Sequence, residues 1–415
     1  LTADSRVLLL VKDGHAVDTA SAGDAVEIVA EATPFYGEAG GQAGDTGMIT
    51  APDGGALQVD IRETVKDPTG LIIHKGNIVS GRLAKNDPIR LAVSADARQA
   101  TARNHTATHI LQSVLRETLG DHVKQAGSLV APDRLRFDFT HFSMIAPETL
   151  ADIEARVNAH LQANVVAETE EMDADHAFQS GATALFEETY GDRVRVVSLS
   201  GFSKELCGGT HVSRTGDIGL FKITGESSVA SGVRRIEALT VTSALRHVQK
   251  TEQALHDAAF RLKDAPQNVA DRIEKLLAEH KALEKELDRL KSVMASRSVA
   301  DAESDVRLVN GVKVLARKVD VDSPAALREM VDRFRDKMES GIVVLGAASG
   351  GKALLIVGVT PDLTDRYHAG DIVKALAALV GGGGGGKADL AQAGGSRPEK
   401  LEEAISQACD LIGKP

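Results

Sequence analysis

Asn104-His-Thr-Ala-Thr-His-Ile-Leu-Gln112 is the stretch on which the reading of this chain turns. Around it Ala107, Ile110, Leu111, Val114, Leu115 and Leu119 recur at intervals of three and four, the period of a helix with one buried face. The run predicts a helix over 97–119, stopped by Gly120. His105 and His109 then lie a turn apart on one face, which suits two ligands of one metal ion. By itself the pair is weak, because histidines at this spacing are more often surface or packing residues. Thr-Ala-Thr separates them, so the glutamate of a His-Glu-x-x-His metalloprotease is missing.

A second element, Cys207-Gly-Gly-Thr-His211, offers a thiolate and another imidazole. Its two glycines are expected to let the backbone turn tightly so that both donors converge. A buried structural cysteine is the plain alternative. Taken with the helix pair, the donors are N, N, S and N. That set matches tetrahedral Zn²⁺ better than Mg²⁺ or Ca²⁺, which prefer oxygen.

Upstream, residues 1 to about 95 read as short strands with glycine turns, among them Asp13-Gly14 and Asp53-Gly54-Gly55. That pattern suggests a small barrel or sandwich. Beyond the helix, 135–139 alternates like a strand and 147–163 has helical period. Residues 194–199, 218–224 and 235–242 read as further strands. From Ser243 to Ser298 the chain is predicted helical, punctuated by Pro266. Its second stripe runs Ile273, Leu276, His280, Leu283, Leu287, Leu290, Met294 at coiled-coil spacing. Two such helices joined at Pro266 read as an antiparallel helical hairpin, since the run is short and His280 interrupts its apolar seam; an intermolecular coiled coil is the competitor. Asn310-Gly311 between two apolar runs signals a β-hairpin. Six glycines, Gly381–Gly386, precede Lys387, without the Gly-Lys-Ser/Thr ending of a phosphate-binding P-loop. They read as a flexible loop or as a backbone cradle for RNA phosphates. Cys409, on a predicted last helix, reads as a packed small hydrophobe.

Composition bounds the rest. A 415-residue chain calls for two or three domains. A net charge of −11 argues against a wholesale nucleic-acid coat but leaves room for a local basic groove. Aromatics are only 3% with no Trp, so base stacking is not an obvious binding mode. Two distant cysteines fit a reducing compartment, with the cytoplasm as default, and no apolar run predicts a membrane span.

Several motifs in order resemble one family. Asn104–Gln112, Gln125-Ala-Gly-Ser-Leu129, Leu135-Arg-Phe-Asp-Phe139, Glu205-Leu-Cys-Gly-Gly-Thr-His-Val212, Thr215–Phe221 and Gly232-Val-Arg-Arg-Ile-Glu237 resemble the editing domain of alanyl-tRNA synthetases. Phe35–Asp45 resembles that family's glycine-rich stretch, and Gly381–Gly395 its C-terminal domain. The resemblance implies an α+β chain in four parts. These are a β-barrel-like subdomain at 1–95, a zinc-dependent editing domain at 96–242, a coiled-coil-like helical linker at 243–300, and a glycine-rich α/β-type globular domain at 301–415. It implies Zn²⁺ on His105, His109, Cys207 and His211, with the metal's catalytic or structural role left open.

It also implies hydrolysis of tRNA(Ala) mischarged with Ser or Gly. Alanine-sized pockets cannot exclude glycine by size and reject serine poorly, so a second hydrolytic site supplies the discrimination. Thr108 and Gln125 become substrate-pocket candidates; a helix Thr bonding its own backbone and a polar loop residue are the alternatives. Gly40, Gly41 and Arg234 become contacts to the tRNA end. Turn glycines, and pairing of Arg234 or, more so, Arg235 with Glu237, are the competing readings. Lys387 becomes a contact to the tRNA body, and the C-terminal region a place for homodimerisation. No segment resembles the family's amino-terminal aminoacylation domain, where ATP would be used to ligate alanine to tRNA, and Leu1 fits a cut just after it. A free-standing editing protein and a non-catalytic, zinc-stabilised RNA-binding and dimerisation module are the alternatives.

Overall fold

The computed structural model describes residues 1–183, 192–300, 305–321 and 323–413, with 291–300 as helical backbone only. Met294, the last residue of the predicted stripe, therefore lies outside the described side chains. The chain divides into two compact units, Leu1–Arg261 and Leu262–Pro415.

The first unit opens with six antiparallel strands that close on themselves. Their order is Thr2–Lys12, Ala25–Ala30, Ile72–Ser80, Gln58–Lys66, Gly47–Thr50 and Pro88–Val93, and the last pairs back to the first from Thr2↔Ala92 to Arg6↔Pro88. The closing strand shows why: Ile89, Leu91 and Val93 are buried while Pro88 and Arg90 are exposed, the period-two pattern of a sheet with one wet face. Val7, Leu10, Ile28, Ile49, Val59, Ile61 and Ile78 fill the interior with them. Closure leaves no free edge among these strands. The barrel read from turn spacing is thus a closed one.

Helix α1, Ala95–Leu119, follows directly. It ends as expected at Gly120, whose φ of 111° is open to glycine and whose N–H bonds Arg116 O at 2.9 Å. Helix α2, Pro147–Gln162, begins with proline at its first turn, where no N–H is needed. Both helices pack on an antiparallel sheet ordered Gln125–Val130, Leu135–Thr140, Val233–Thr240, Phe221–Ala230. Ile110, Leu111, Val114 and Leu115 of α1 meet Phe137, Phe139, Phe221 and Ile236 in its core. Each fully buried aromatic contributes a few kcal/mol, at about 25 cal/mol per Å². The strand expected over 218–224 starts later: residues 215–218 form a 3₁₀ turn, and Ile218 is core. A three-stranded sheet, Ala167–Asp173, Arg193–Leu199 and Ser203–Leu206, carries the cysteine loop. Its first strand, AETEEMD, is mostly exposed and lacks an apolar face, so periodicity gave no sign of it. The helix Val241–Leu262 closes this region.

The second unit begins with the helix Val269–Ala300 and continues as a six-stranded sheet. Asn310 and Gly311 both take positive φ, 50° and 79°, and join Val306–Val309 to Val312–Lys318 as a tight hairpin. The helix Pro324–Met338 connects Val312–Lys318 to Ile342–Ser349 in parallel, and every other pairing in this sheet is antiparallel. Only that crossover has α/β character. Pro324–Met338 packs with one apolar cluster, and the helices Ala369–Leu379 and Leu401–Ile412 with another. Cys409 packs against the latter.

The glycine run is not the flexible loop that is one of the two readings of it. Gly382–Gly386 is the edge strand of this sheet, paired from Gly382↔Gly395 to Gly386↔Ala391. A Cβ on Gly382 would lie 1.7 Å from Gly394 O, and one on Gly384 2.4 Å from Gln392 O, whereas Gly383 and Gly385 face open space. Close approach of neighbouring backbone, rather than looseness, is what excludes side chains at alternate positions. Among the described residues, no helix is long and apolar enough to cross a membrane.

Candidate metal centre

Helix α1 buries His105 and His109, and the segment after Ser203–Leu206 brings up Cys207 and His211. The cysteine loop is held by Cys207 N–H donating to Arg195 O at 2.9 Å and by the Arg195 guanidinium donating to Gly209 O. Neither Gly208 nor Gly209 has positive φ, so left-handed backbone is not what they supply. What matters is room: a Cβ on Gly209 would sit 2.1 Å from His105 Cε1, while Gly208 has nothing within 4 Å. The loop lies directly against the imidazole.

Four candidate donor atoms, one each from His105, His109, Cys207 and His211, lie within 4.8 Å of one another. Cys207 Sγ is 3.4 Å from His105 Nε2 and 3.2 Å from His211 Nε2. The second ring nitrogens explain the convergence. His105 Nδ1 is 2.7 Å from Gln42 Oε1, His109 Nδ1 bonds the Glu205 carboxylate, and His211 Nδ1 is 3.1 Å from Thr106 Oγ1. A carboxylate only accepts. Thr106 spends its proton on Ala102 O at 3.0 Å and so accepts from His211. These partners set Nδ1 as the donor and turn Nε2 toward the cluster. His109 Nε2 is buried there with no hydrogen-bond partner, an arrangement that costs about 1–3 kcal/mol unless something fills it.

Electrostatics agrees. Burial pushes the Cys207 thiol up, but His105 and His109 outweigh it and hold the thiol well below its ordinary value. His211 is pushed down to about 3 by burial and His105. Burial lowers His109, yet Glu205 and Cys207 carry it up to about 10. An orphaned imidazole nitrogen, two further nitrogens and a thiolate fit tetrahedral Zn²⁺.

Beside the cluster lies a cavity of about 400 Å³, lined by His105, His109 and Cys207 and also by Thr108, Gln125 and Gly40. Thr108 donates to Asn104 O at 2.9 Å, the helix back-bond, while its side chain borders the cavity. The back-bond expected of a helix Thr is thus present. Gln125 Nε2 donates to Ser128 Oγ at 3.1 Å. Gly40 and Gly41 form a two-residue turn with φ of 57° and 82°, and a Cβ on Gly41 would meet Ser128 O at 2.7 Å. Gly41 is outside the cavity lining.

Arg234 is also outside the lining; its guanidinium pairs with Glu226, Nη2 to Oε2 at 2.6 Å. Arg235 pairs with Asp138 at 2.7 and 2.9 Å, so the expected pairing with Glu237 is replaced by a neighbour across the sheet. Lys387 sits in the second unit, at the turn after the glycine strand, its N–H on Leu390 O at 2.9 Å. Lys66, Arg193 and Arg195 line the cavity instead, and none of its described lining residues is acidic. Sequence reasoning passed over these three cations, and over Gln42, Thr106 and Glu205. Lys66 lies far from the strand that carries both Arg193 and Arg195, and the three partners stand in or beside motifs already quoted, where nothing but contact with an imidazole distinguishes them.

Three family models match the chain. "Threonyl and Alanyl tRNA synthetase second additional domain" matches residues 194–237, which hold Cys207 and His211. "DHHA1 domain" matches 311–414, and "tRNA synthetases class II (A)" matches 1–97. The last overlaps the barrel, where no motif resembled the aminoacylation domain. An alanine–tRNA ligase of Desulfosudis oleivorans is 57% identical over 415 residues, 100% of this chain and 47% of that protein. Those of Desulforamulus reducens and Methylococcus capsulatus are 46% and 47% identical over 99% and 97% of this chain, and 47% and 46% of their own lengths. The chain thus spans about half the length of the curated relatives it matches. A crystal structure of the C-Ala domain from Aquifex aeolicus alanyl-tRNA synthetase is 27% identical, with a TM-score of 0.25, over 26% of this chain and 98% of that one.

Proposed function

The chain is, along its whole length, a homologue of alanine–tRNA ligases, and from that premise we propose that it carries their editing activity: hydrolysis of the ester in Ser-tRNA(Ala) and Gly-tRNA(Ala). In this reading residues 96–242 form the editing domain and 1–95 the barrel beside it. Residues 243–300 are a helical linker, and 301–415 bind the tRNA body, Lys387 included, and support dimerisation. The whole parent enzyme would ligate alanine to tRNA with ATP. The observation that carries the reading is the cavity that joins the His105–His109–Cys207 cluster to Thr108, Gln125 and three cations.

His105, His109, Cys207 and His211 would hold Zn²⁺, which when bound polarises an oxygen ligand or orients a water if a coordination position opens. The remaining work falls to the protein. Thr108 has its proton on Asn104 O, so its hydroxyl keeps acceptor capacity for a seryl side-chain O–H, which alanine lacks. Glycine is admitted by size. Gln125, fixed through Ser128, orients the aminoacyl group. Lys66, Arg193 and Arg195 receive phosphates near the tRNA end, a local basic lining on an acidic chain. Gly40 leaves room for the terminal nucleotide. Arg234, committed to Glu226, acts through the sheet rather than in the cavity.

The test is a deacylation panel with the zinc-loaded chain. Ser-tRNA(Ala) and Gly-tRNA(Ala) should be hydrolysed much faster than Ala-tRNA(Ala). Binding of all three with every ester left intact would replace this reading with the non-catalytic RNA-binding module.

A further inference from the structure

Gln42 comes from the glycine-rich segment after the barrel's second strand, yet its side chain ends in the metal cluster. It is fully buried. Its Oε1 accepts from Thr210 N–H at 2.8 Å and lies 2.7 Å from His105 Nδ1, while its Nε2 donates to Thr210 Oγ1 at 3.0 Å. The backbone N–H of Thr210 can only donate, which fixes the amide with its oxygen toward His105. Nδ1 must then carry the proton, and the Nε2 lone pair faces Cys207 Sγ.

Nearby contacts hold Gln42 in place. The Gly40-Gly41 turn delivers it, with Gln42 N–H on Ala39 O at 3.0 Å. Ala43 N–H bonds Val130 O at 2.9 Å, and Val130 N–H bonds Gly41 O at 2.8 Å. Three residues on, Asp45 pairs with Arg98, two helical turns before His105. A Cβ on Gly209 would also come within 2.7 Å of Gln42 Oε1, so the cysteine loop closes against this amide.

We propose that Gln42 is a positioning residue for the metal centre: it sets the tautomer and ring orientation of His105 and ties the Cys207–His211 loop to it through Thr210. The glycine-rich segment thereby supplies part of the zinc site's outer shell. This rests on the reading that the cluster holds zinc. It makes no use of the editing activity.

The test compares the full chain with Gln42→Met, which keeps length and fills the space without an acceptor, and Gln42→Glu, which keeps the acceptor. Zinc affinity is measured by competition with a chromophoric chelator, and Co²⁺ spectra report the ligand field. Helix content by circular dichroism shows whether each variant is folded. Q42M should lose about 10–100-fold in zinc affinity and shift the Co²⁺ bands, with Q42E close to the parent chain. Unchanged affinity and spectrum in Q42M would overturn the proposal, and so would equal losses in Q42M and Q42E, which would mark a packing role. A parent chain that binds no zinc would overturn both the zinc reading and this one.

Discussion

At the scale of single residues, the cluster makes demands that substitution can check. Cys207→Ala removes the one sulfur donor, so zinc content should fall sharply and deacylation with it, while binding of the tRNA body is kept; metal analysis of the purified variant reads the first directly. Unchanged zinc content would take Cys207 out of the ligand set. Gly209→Ala should lower zinc affinity by about tenfold or more, because its new methyl falls on the His105 ring. Thr108→Val keeps shape and loses the hydroxyl. It should cut the preference for Ser- over Ala-tRNA by roughly 2–10-fold, the worth of one hydrogen bond, with zinc content unchanged. An unaltered ratio of the two deacylation rates would exclude that role. The four metal candidates were legible because their residue types are rare and their spacing has a reason. Gln42, Thr106 and Glu205 were not, since a hydrogen bond to an imidazole across 63, 105 or 96 positions leaves no trace in spacing.

Elements were legible where a period repeats. Helix α1 announced itself by its three-and-four apolar rhythm. The strand Ala167–Asp173 was invisible, because a mostly exposed edge of acidic residues needs no pattern. The glycine run misled for a physical reason: glycine usually signals freedom, whereas here alternate positions are closed by neighbouring backbone. That distinction predicts opposite outcomes one residue apart. Gly384→Ala should destabilise the C-terminal unit by about 1–3 kcal/mol through forced strand displacement. Gly383→Ala, facing open space, should be neutral or stabilise by up to about 1 kcal/mol. Thermal melts of the two variants separate these cases, and equal melting points would show that the strand tolerates side chains on both faces.

At the scale of the whole molecule, composition gave blunt bounds. A charge of −11 fits an acidic surface, yet the cavity beside the cluster is lined by three cations and no described carboxylate. Arg193 and Arg195 share one strand, and only folding brings Lys66 to them. The same folding sets residues of the barrel, α1 and the cysteine loop around one cavity, which is why the motifs had to be read in concert to be specific. In the function proposed here, this cavity hydrolyses a mischarged ester and needs its metal to do so. The most direct measurement is the rate of serine release from Ser-tRNA(Ala) by the zinc-loaded chain, the chelator-stripped chain, and the stripped chain given zinc again. Rapid release, loss on stripping and recovery on reloading are the expected results. Release at the same rate by a chain shown to contain no zinc, or no release by the loaded one, would contradict that function.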